Sequence, residues 1–170
     1  MNDVTIRPVA PDEAGIVARH RMRMFEDMGQ VPAHLAAPLQ EASERALSSL
    51  LASGDYVGWF ATDAAGDVIA GAGAHIRPQL PRISLSGDRV AESPAPLVVN
   101  VYTEPDWRGR GVARALMACL MRWAAEQDYE RVVLHASDDG RPLYLSLGFT
   151  PTNEMRWGPP QDGRLGGPRF

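Results

Sequence analysis

The sequence predicts one α/β (α+β) domain, and three observations lead there. Strand-like and helix-like segments succeed one another along the chain with short breaks between them. Two β-rich stretches, "YVGWFATD" and "VIAGAGAHI", flank "AAGD", whose glycine suits the tight turn of an antiparallel hairpin. The β-branched apolar run "LVVNVYT" (97–103) leads through a glycine-rich turn into a helical repeat, a strand–turn–helix unit.

In chain order, "VTIRP" reads as a short strand ended by Pro8. From Pro11 the apolar residues Ile16, Val17, Met24 and Phe25 recur at helical spacing, and Gly29 closes that helix. A second helix is expected over "LQEASERALSSLLAS", ending at Gly54. The hairpin follows. Residues 81–96, "PRISLSGDRVAESPAP", hold three prolines and a glycine with little periodicity, so a long loop is expected there. The central strand 97–103 and the glycine-rich turn come next, and the helix behind them runs to about Asp128. "RVVLHA" is a further strand, "DGRPLYLSL" a short helix that tolerates Pro142 in its first turn, and "FTPTNEMRW" a last strand. No repeat or linker divides the chain, which gives a single domain over 1–157 and a Pro/Gly-rich tail over 158–170.

Composition narrows the function classes. A chain of 170 residues with 45% hydrophobic and 22% charged residues suits one globular core. The formal net charge of -4 argues against a general nucleic-acid binder. The single cysteine, Cys119, excludes an intrachain disulfide and a cysteine-cluster metal site, and its apolar neighbours suggest a buried structural thiol. "MNDVTIRPVA" lacks the apolar stretch of a signal peptide, and no run approaches the roughly 18 apolar residues that span a bilayer. A cytoplasmic protein without membrane contact is the expectation.

The segment "DWRGRGVARAL" (106–116) carries the functional question, with arginines at 108, 110 and 114 and glycines at 109 and 111. The dinucleotide fingerprint G-x-G-x-x-G fails because Arg114 stands where the third glycine belongs, and no G-x-x-x-x-G-K-[ST] run exists. Two readings remain open. One is a solvated helix start with a glycine turn. The other is a phosphate cradle: leading N–H groups of a helix lack intrahelical partners and carry the positive end of its dipole. Gly109, Gly111 and Ala113 would keep side chains off such a cradle. Behind it, Val112, Leu116, Leu120 and Trp123 form one apolar stripe with Met117 and Met121 on its flank, which reads as packing on a sheet.

The order "VNVYTEPDWRGRGVARALM" resembles the acetyl-coenzyme A motif of the GNAT superfamily of N-acetyltransferases, [RQ]-x-x-G-x-[GA], through Arg108, Gly111 and Ala113. "LYLSLGF" at 143–149 is similar to the second family motif, Leu-Tyr-x-x-Leu-Gly-Phe. The resemblance is strong over 97–155 and compatible upstream. It implies a twisted, mixed six- to seven-stranded sheet with helices on both faces. Two central strands, "LVVNVYT" and "RVVLHA", would splay into a V. The cofactor implied is acetyl-coenzyme A, as cosubstrate and with no metal. Its pantetheine arm would bond backbone around Val101, Tyr102 and Thr103, and its pyrophosphate would lie on the amides of Gly109, Arg110, Gly111, Val112, Ala113 and Arg114, with Arg108, the motif position, attracting the phosphates. Ser137 matches a family position that contacts the cofactor.

The activity the resemblance implies is direct attack of a primary amine, of a small molecule or a peptide, on the thioester. Tyr144 matches the family tyrosine that protonates the departing thiolate, a role suited to a phenol that stays protonated at neutral pH. The base is less defined, because the glutamate many relatives carry is Val132 here. Glu104, Glu92, His75 and Asn100 remain as candidates, Glu104 through an ordered water. Val132 also leaves open a non-catalytic acyl-coenzyme A sensor on the same fold. His20, His34 and His135 lack metal-ligand spacing and read as structural or substrate-lining. Trp59, Trp123 and Trp157 read as packing. The open sheet edges of this family allow a homodimer.

Overall fold

The computed structural model describes residues 4–155. Two compact units divide the chain, Met1–Ala136 and Ser137–Phe170.

The first unit opens with strand β1, Thr5–Pro8, and a 3-10 turn, Pro11–Glu13, that continues into helix α1, Ala14–Asp27. The corner is tied locally. Arg7 donates to both Glu13 carboxylate oxygens at 2.8 and 2.7 Å, and the Ala10 N–H donates to the same carboxylate at 2.8 Å. The Arg7 bond holds that carboxyl below the usual range. Helix α2, Ala36–Ser53, starts a few residues before the expected boundary and ends at Gly54, whose φ of +79° is the left-handed C-terminal stop.

The hairpin forms as the sequence predicts, from β2, Tyr56–Thr62, and β3, Val68–Arg77. The Asp63 carboxylate fixes its turn by accepting from the N–H groups of Ala65 and Asp67 at 3.0 and 2.9 Å. Strand β6, Ala95–Thr103, pairs antiparallel with β3. Helix α3, Val112–Glu126, follows, and β7, Val133–Leu134, pairs parallel to β6. The sheet order is β1-β2-β3-β6-β7.

Helices cover both faces of this sheet. On one face Tyr56 and Phe60 of β2 pack against Ala14, Val17 and Ala18 of α1 and Leu47 of α2. On the other, Ala61, Ile69, Ala70 and Ala72 meet Val112 and Leu116 of α3. The α3 stripe is buried at Val112, Leu116, Met117, Leu120 and Ala124. Trp123 stacks between Trp59 and Tyr129, at 5.7 and 5.4 Å between ring centroids, so both tryptophans pack as expected.

Several expectations change. Among the described residues the main sheet has five strands, against the six or seven expected of the whole chain. The 81–96 segment is not a plain loop: it holds a ribbon of β4, Arg82–Ile83, and β5, Val90–Ala91. Hydroxyls of Ser84 and Ser86 donate to the Asp88 carboxylate and close the ribbon's turn. Strand β7 is shorter than 131–136, and just ahead of it Glu130 pairs with Arg82 and Arg89 at 2.9 and 2.6 Å and Arg131 donates to Gln79 at 2.7 Å. These side chains tie the approach to β7 to the ribbon and to Gln79 ahead of it. Cys119 is half-buried on the flank of α3 rather than enclosed.

In the second unit, helix α4, Arg141–Ser146, carries Pro142 in its first turn as expected. No strand forms over 149–155, where Pro151 removes a ladder donor. Residues 156–157 of that expected strand, Trp157 and the 158–170 tail lie outside the described residues.

Candidate functional site

The site is built where β6 breaks the regular ladder. Gly71 pairs with Tyr102 and Gly73 with Val99, so Asn100 and Val101 together oppose Ala72. This is a β-bulge, and Asn100 takes a φ of +59° there, a conformation usually left to glycine. The bulge turns the strand over: Val99 packs toward α1 and α2, whereas Val101, two residues on, packs toward α3. On its other edge β6 pairs with β7 only at Leu97 and Val98. The two parallel strands therefore part before the bulge, as the V-shaped splay requires.

Asn100 is buried. Its Oδ1 accepts from Arg21 Nη1 at 2.8 Å, and its Nδ2 makes a long bond of 3.4 Å to the Tyr56 hydroxyl. Burial pushes the Tyr56 phenol up to about 12. A Cβ on Gly73 would lie 2.1 Å from the Tyr56 oxygen, so only glycine there lets the phenol reach Asn100.

Past the bulge, Glu104 is held by Arg23, whose Nη1 donates to Oε1 and Oε2 at 2.7 and 2.8 Å. The Tyr102 hydroxyl donates to Oε2 at 3.3 Å. Tyr102 itself is buried, and its phenol is pushed up by that burial and then by the Glu104 and Asp27 charges. The imidazole of His20 lies against Tyr102, its Nε2 3.9 Å from Glu104 Oε1. Burial outweighs this carboxylate and, with Arg19 and Arg23 nearby, lowers His20 to about 4, so it is neutral. Its ring nitrogens have no hydrogen-bond partner among the described residues.

A 3-10 turn, Pro105–Trp107, leads to the glycines. Gly109 and Gly111 have φ of +72° and +80°, and Gly111 immediately precedes α3. Both are therefore required by backbone conformation as well as by the bare surface the sequence suggests. No side chain caps the start of α3, and the leading N–H groups of a helix have no intrahelical partner. The arginines divide their work. Arg108 donates to Asp27 and, through Nε, to the Thr103 carbonyl at 2.9 Å. Arg110 is exposed and lies over the Trp107 ring at 5.0 Å.

The structure thus gathers Val101, Tyr102, Thr103, Glu104 and the 108–114 turn at one end of β6. Among the base candidates, Asn100 and Glu104 belong to this end. His75 pairs with Leu97, before the bulge, and exposed Glu92 lies ahead of β6 beside Asp55 and Gln79. Sequence reasoning missed Arg21, Arg23, Asp27 and Tyr56. The signal available was the density of arginine in "RHRMR" (19–23) on a helix with a buried face.

In the second unit Ser137 is exposed and its Oγ accepts from the Gly140 N–H at 3.2 Å. Tyr144 is half-buried, edge-on to Phe149 at 6.0 Å, and burial pushes its phenol up. It is therefore protonated at neutral pH. Among the described residues no group of three or more His, Cys, Asp or Glu is placed to hold a metal ion, and no helix is long and apolar enough to cross a membrane.

The family model of the acetyltransferase (GNAT) family matches residues 21–149, from Arg21 on α1 to Phe149 of the second motif. The chain belongs to the GNAT family. It is similar to a GCN5-related N-acetyltransferase from Ralstonia eutropha, with 32% identity, a TM-score of 0.81 and coverage of 91% of this chain and 97% of the other. A predicted acetyltransferase of Clostridium acetobutylicum, solved with acetyl-CoA, is 26% identical at a TM-score of 0.76, over 91% and 94% of the two chains. An aminoglycoside N(6')-acetyltransferase type 1 of Stenotrophomonas maltophilia is 25% identical over 160 residues, 89% of each chain. As a member of the GNAT family with N-acetyltransferase relatives, the chain is an N-acetyltransferase.

Proposed function

We propose that this GNAT protein transfers the acetyl group of acetyl-coenzyme A to a primary amine by direct attack on the thioester. The observation that carries this reading is the continuity of the bulge at Asn100–Val101, the left-handed Gly111 and the uncapped start of α3 along one stretch of chain. A thioester arm that runs along β6 meets backbone donors at the bulge, and a pyrophosphate at the same arm's end meets the first N–H groups of α3.

Arg108 contributes its backbone, since its side chain is engaged by Asp27 and Thr103, while Arg110 supplies long-range attraction for phosphate. Ser137 takes the cofactor-contact role that the family motif gives it. In the transfer, the nitrogen of the neutral amine attacks the carbonyl carbon, and the proton this nitrogen then sheds passes through a water to Glu104. The developing oxyanion accepts from the Val101 N–H. The carbon–sulfur bond then breaks, and the thiolate takes the proton of the Tyr144 hydroxyl. Solvent exchange returns Glu104 to the carboxylate and Tyr144 to the phenol. The products are an amide and coenzyme A.

The relative from Stenotrophomonas maltophilia brings aminoglycosides into the set of acceptors to try. A panel of aminoglycosides, polyamines and N-terminal peptides, with acetyl-coenzyme A and release of free thiol as the readout, tests the reading. Thiol release that depends on one amine class supports it. Saturable binding of acetyl-coenzyme A without transfer to any member of a broad panel favours the acyl-coenzyme A sensor that Val132 suggests.

A further inference from the structure

The bulge in β6 is expensive as built. Asn100 is not glycine, so its positive φ costs energy that something around it must offset. Two polar groups on the α1 face meet its side chain: Arg21 Nη1 at 2.8 Å from Oδ1, and the Tyr56 hydroxyl at 3.4 Å from Nδ2. Each is set from behind. The Arg21 guanidinium lies over the Phe25 ring at 4.7 Å. Tyr56 is fully enclosed, reaching Asn100 across the space that Gly73 leaves. The gap bounded by His20, Tyr56, Phe60, Gly71 and Asn100 is too small for a water molecule, so the Tyr56 side of the amide is dry. Neither Arg21 nor Tyr56 belongs to the motif that marks the cofactor turn.

We propose that Arg21 and Tyr56 are positioning residues: by gripping both ends of the Asn100 amide they hold its left-handed backbone, and so aim the Val101 N–H at the acetyl carbonyl. The reasoning is local. An amide with Oδ1 and Nδ2 both engaged has one orientation, and that orientation belongs to one φ at Asn100. If the grip is released, Asn100 relaxes toward negative φ, the bulge shifts, and the donor at Val101 turns away. The turn at 109–114 is not coupled to this change, because it is fixed by its own glycines. This inference rests on the acetyl-coenzyme A reading above.

The test compares the affinities of the full-length protein for acetyl-coenzyme A and for coenzyme A by calorimetry, since only the former carries the carbonyl. The protein should prefer acetyl-coenzyme A by roughly fivefold, the effect of one well-placed hydrogen bond. Arg21→Ala should erase the preference while coenzyme A, held by the 109–114 turn, still binds saturably, which also shows that the variant is folded. Tyr56→Phe, which keeps the ring packing, should reduce it in the same direction. The decisive variant is Arg21→Ala/Asn100→Gly. Glycine adopts positive φ without a grip, so most of the preference should return. A general structural role for Arg21 predicts no such rescue. An unchanged ratio in both single variants, or a double variant no better than Arg21→Ala, overturns the positioning role while acetyl-coenzyme A binding stands. Failure of the unaltered protein to bind either ligand overturns the acetyl-transfer reading and this inference with it.

Discussion

Arg108 donates a hydrogen bond to Asp27, joining the glycine-rich turn to the end of α1 across 81 positions of sequence. The same guanidinium holds the Thr103 carbonyl. The motif arginine thus acts as a brace for the turn, while Arg110, stacked on Trp107, faces solvent.

This division predicts separable effects. Arg108→Ala should lower the unfolding free energy by about 1 kcal/mol, the scale of an exposed ion pair with an added hydrogen bond. Arg110→Ala should leave stability unchanged and raise the dissociation constant for acetyl-coenzyme A about threefold at low salt, with the difference fading as salt screens it. Denaturant titration and calorimetry at two ionic strengths check both.

Tyr144→Phe removes one hydroxyl and keeps the ring against Phe149. Turnover, followed by thiol release, should fall on the order of 100-fold, the usual contribution of a positioned acid. Acetyl-coenzyme A affinity should change by less than about twofold. Unaltered turnover removes Tyr144 from the acid role.

Glu104→Gln keeps the shape of the side chain and loses its basicity and its ion pair with Arg23. Turnover should drop about tenfold or more with acetyl-coenzyme A binding retained. A rate equal to that of the unaltered protein means that the amine proton leaves by another route.

His20 gives a pH dependence. Its folded-state value, about 4, lies below its ordinary 6.5 because burial disfavours the imidazolium. As pH falls through 6.5 the unfolded chain takes up a proton that the folded chain refuses, so stability declines until about pH 4. The full loss is on the order of 3 kcal/mol. Urea titrations at pH 7.5 and 5 should show the decline, and His20→Leu should flatten it. An equal decline in His20→Leu assigns it to other groups.

Much of this molecule is legible in its sequence, for definite physical reasons. The hairpin, both early helices and the α3 stripe follow from periodicity and glycine stops. The glycine-rich turn ahead of α3 follows from Gly109 and Gly111. The ribbon at 82–91 escaped because its strands are two residues each, below any periodic signal, and because its anchor is Glu130, distant in sequence. The grip on Asn100 escaped for a similar reason. Arg21, Tyr56 and Gly73 are brought to Asn100 by sheet register and helix packing, which no local pattern announces.

Titration of acetyl-coenzyme A into the unaltered protein and into Gly111→Val tests the central claim most directly. A β-branched side chain is strained at the +80° φ of Gly111 and crowds the helix start beside it. The expected result is saturable binding to the unaltered protein and none to Gly111→Val at millimolar ligand, with the variant's circular dichroism spectrum intact. Absence of binding to the unaltered protein at millimolar ligand, or equal binding by both proteins, contradicts the account.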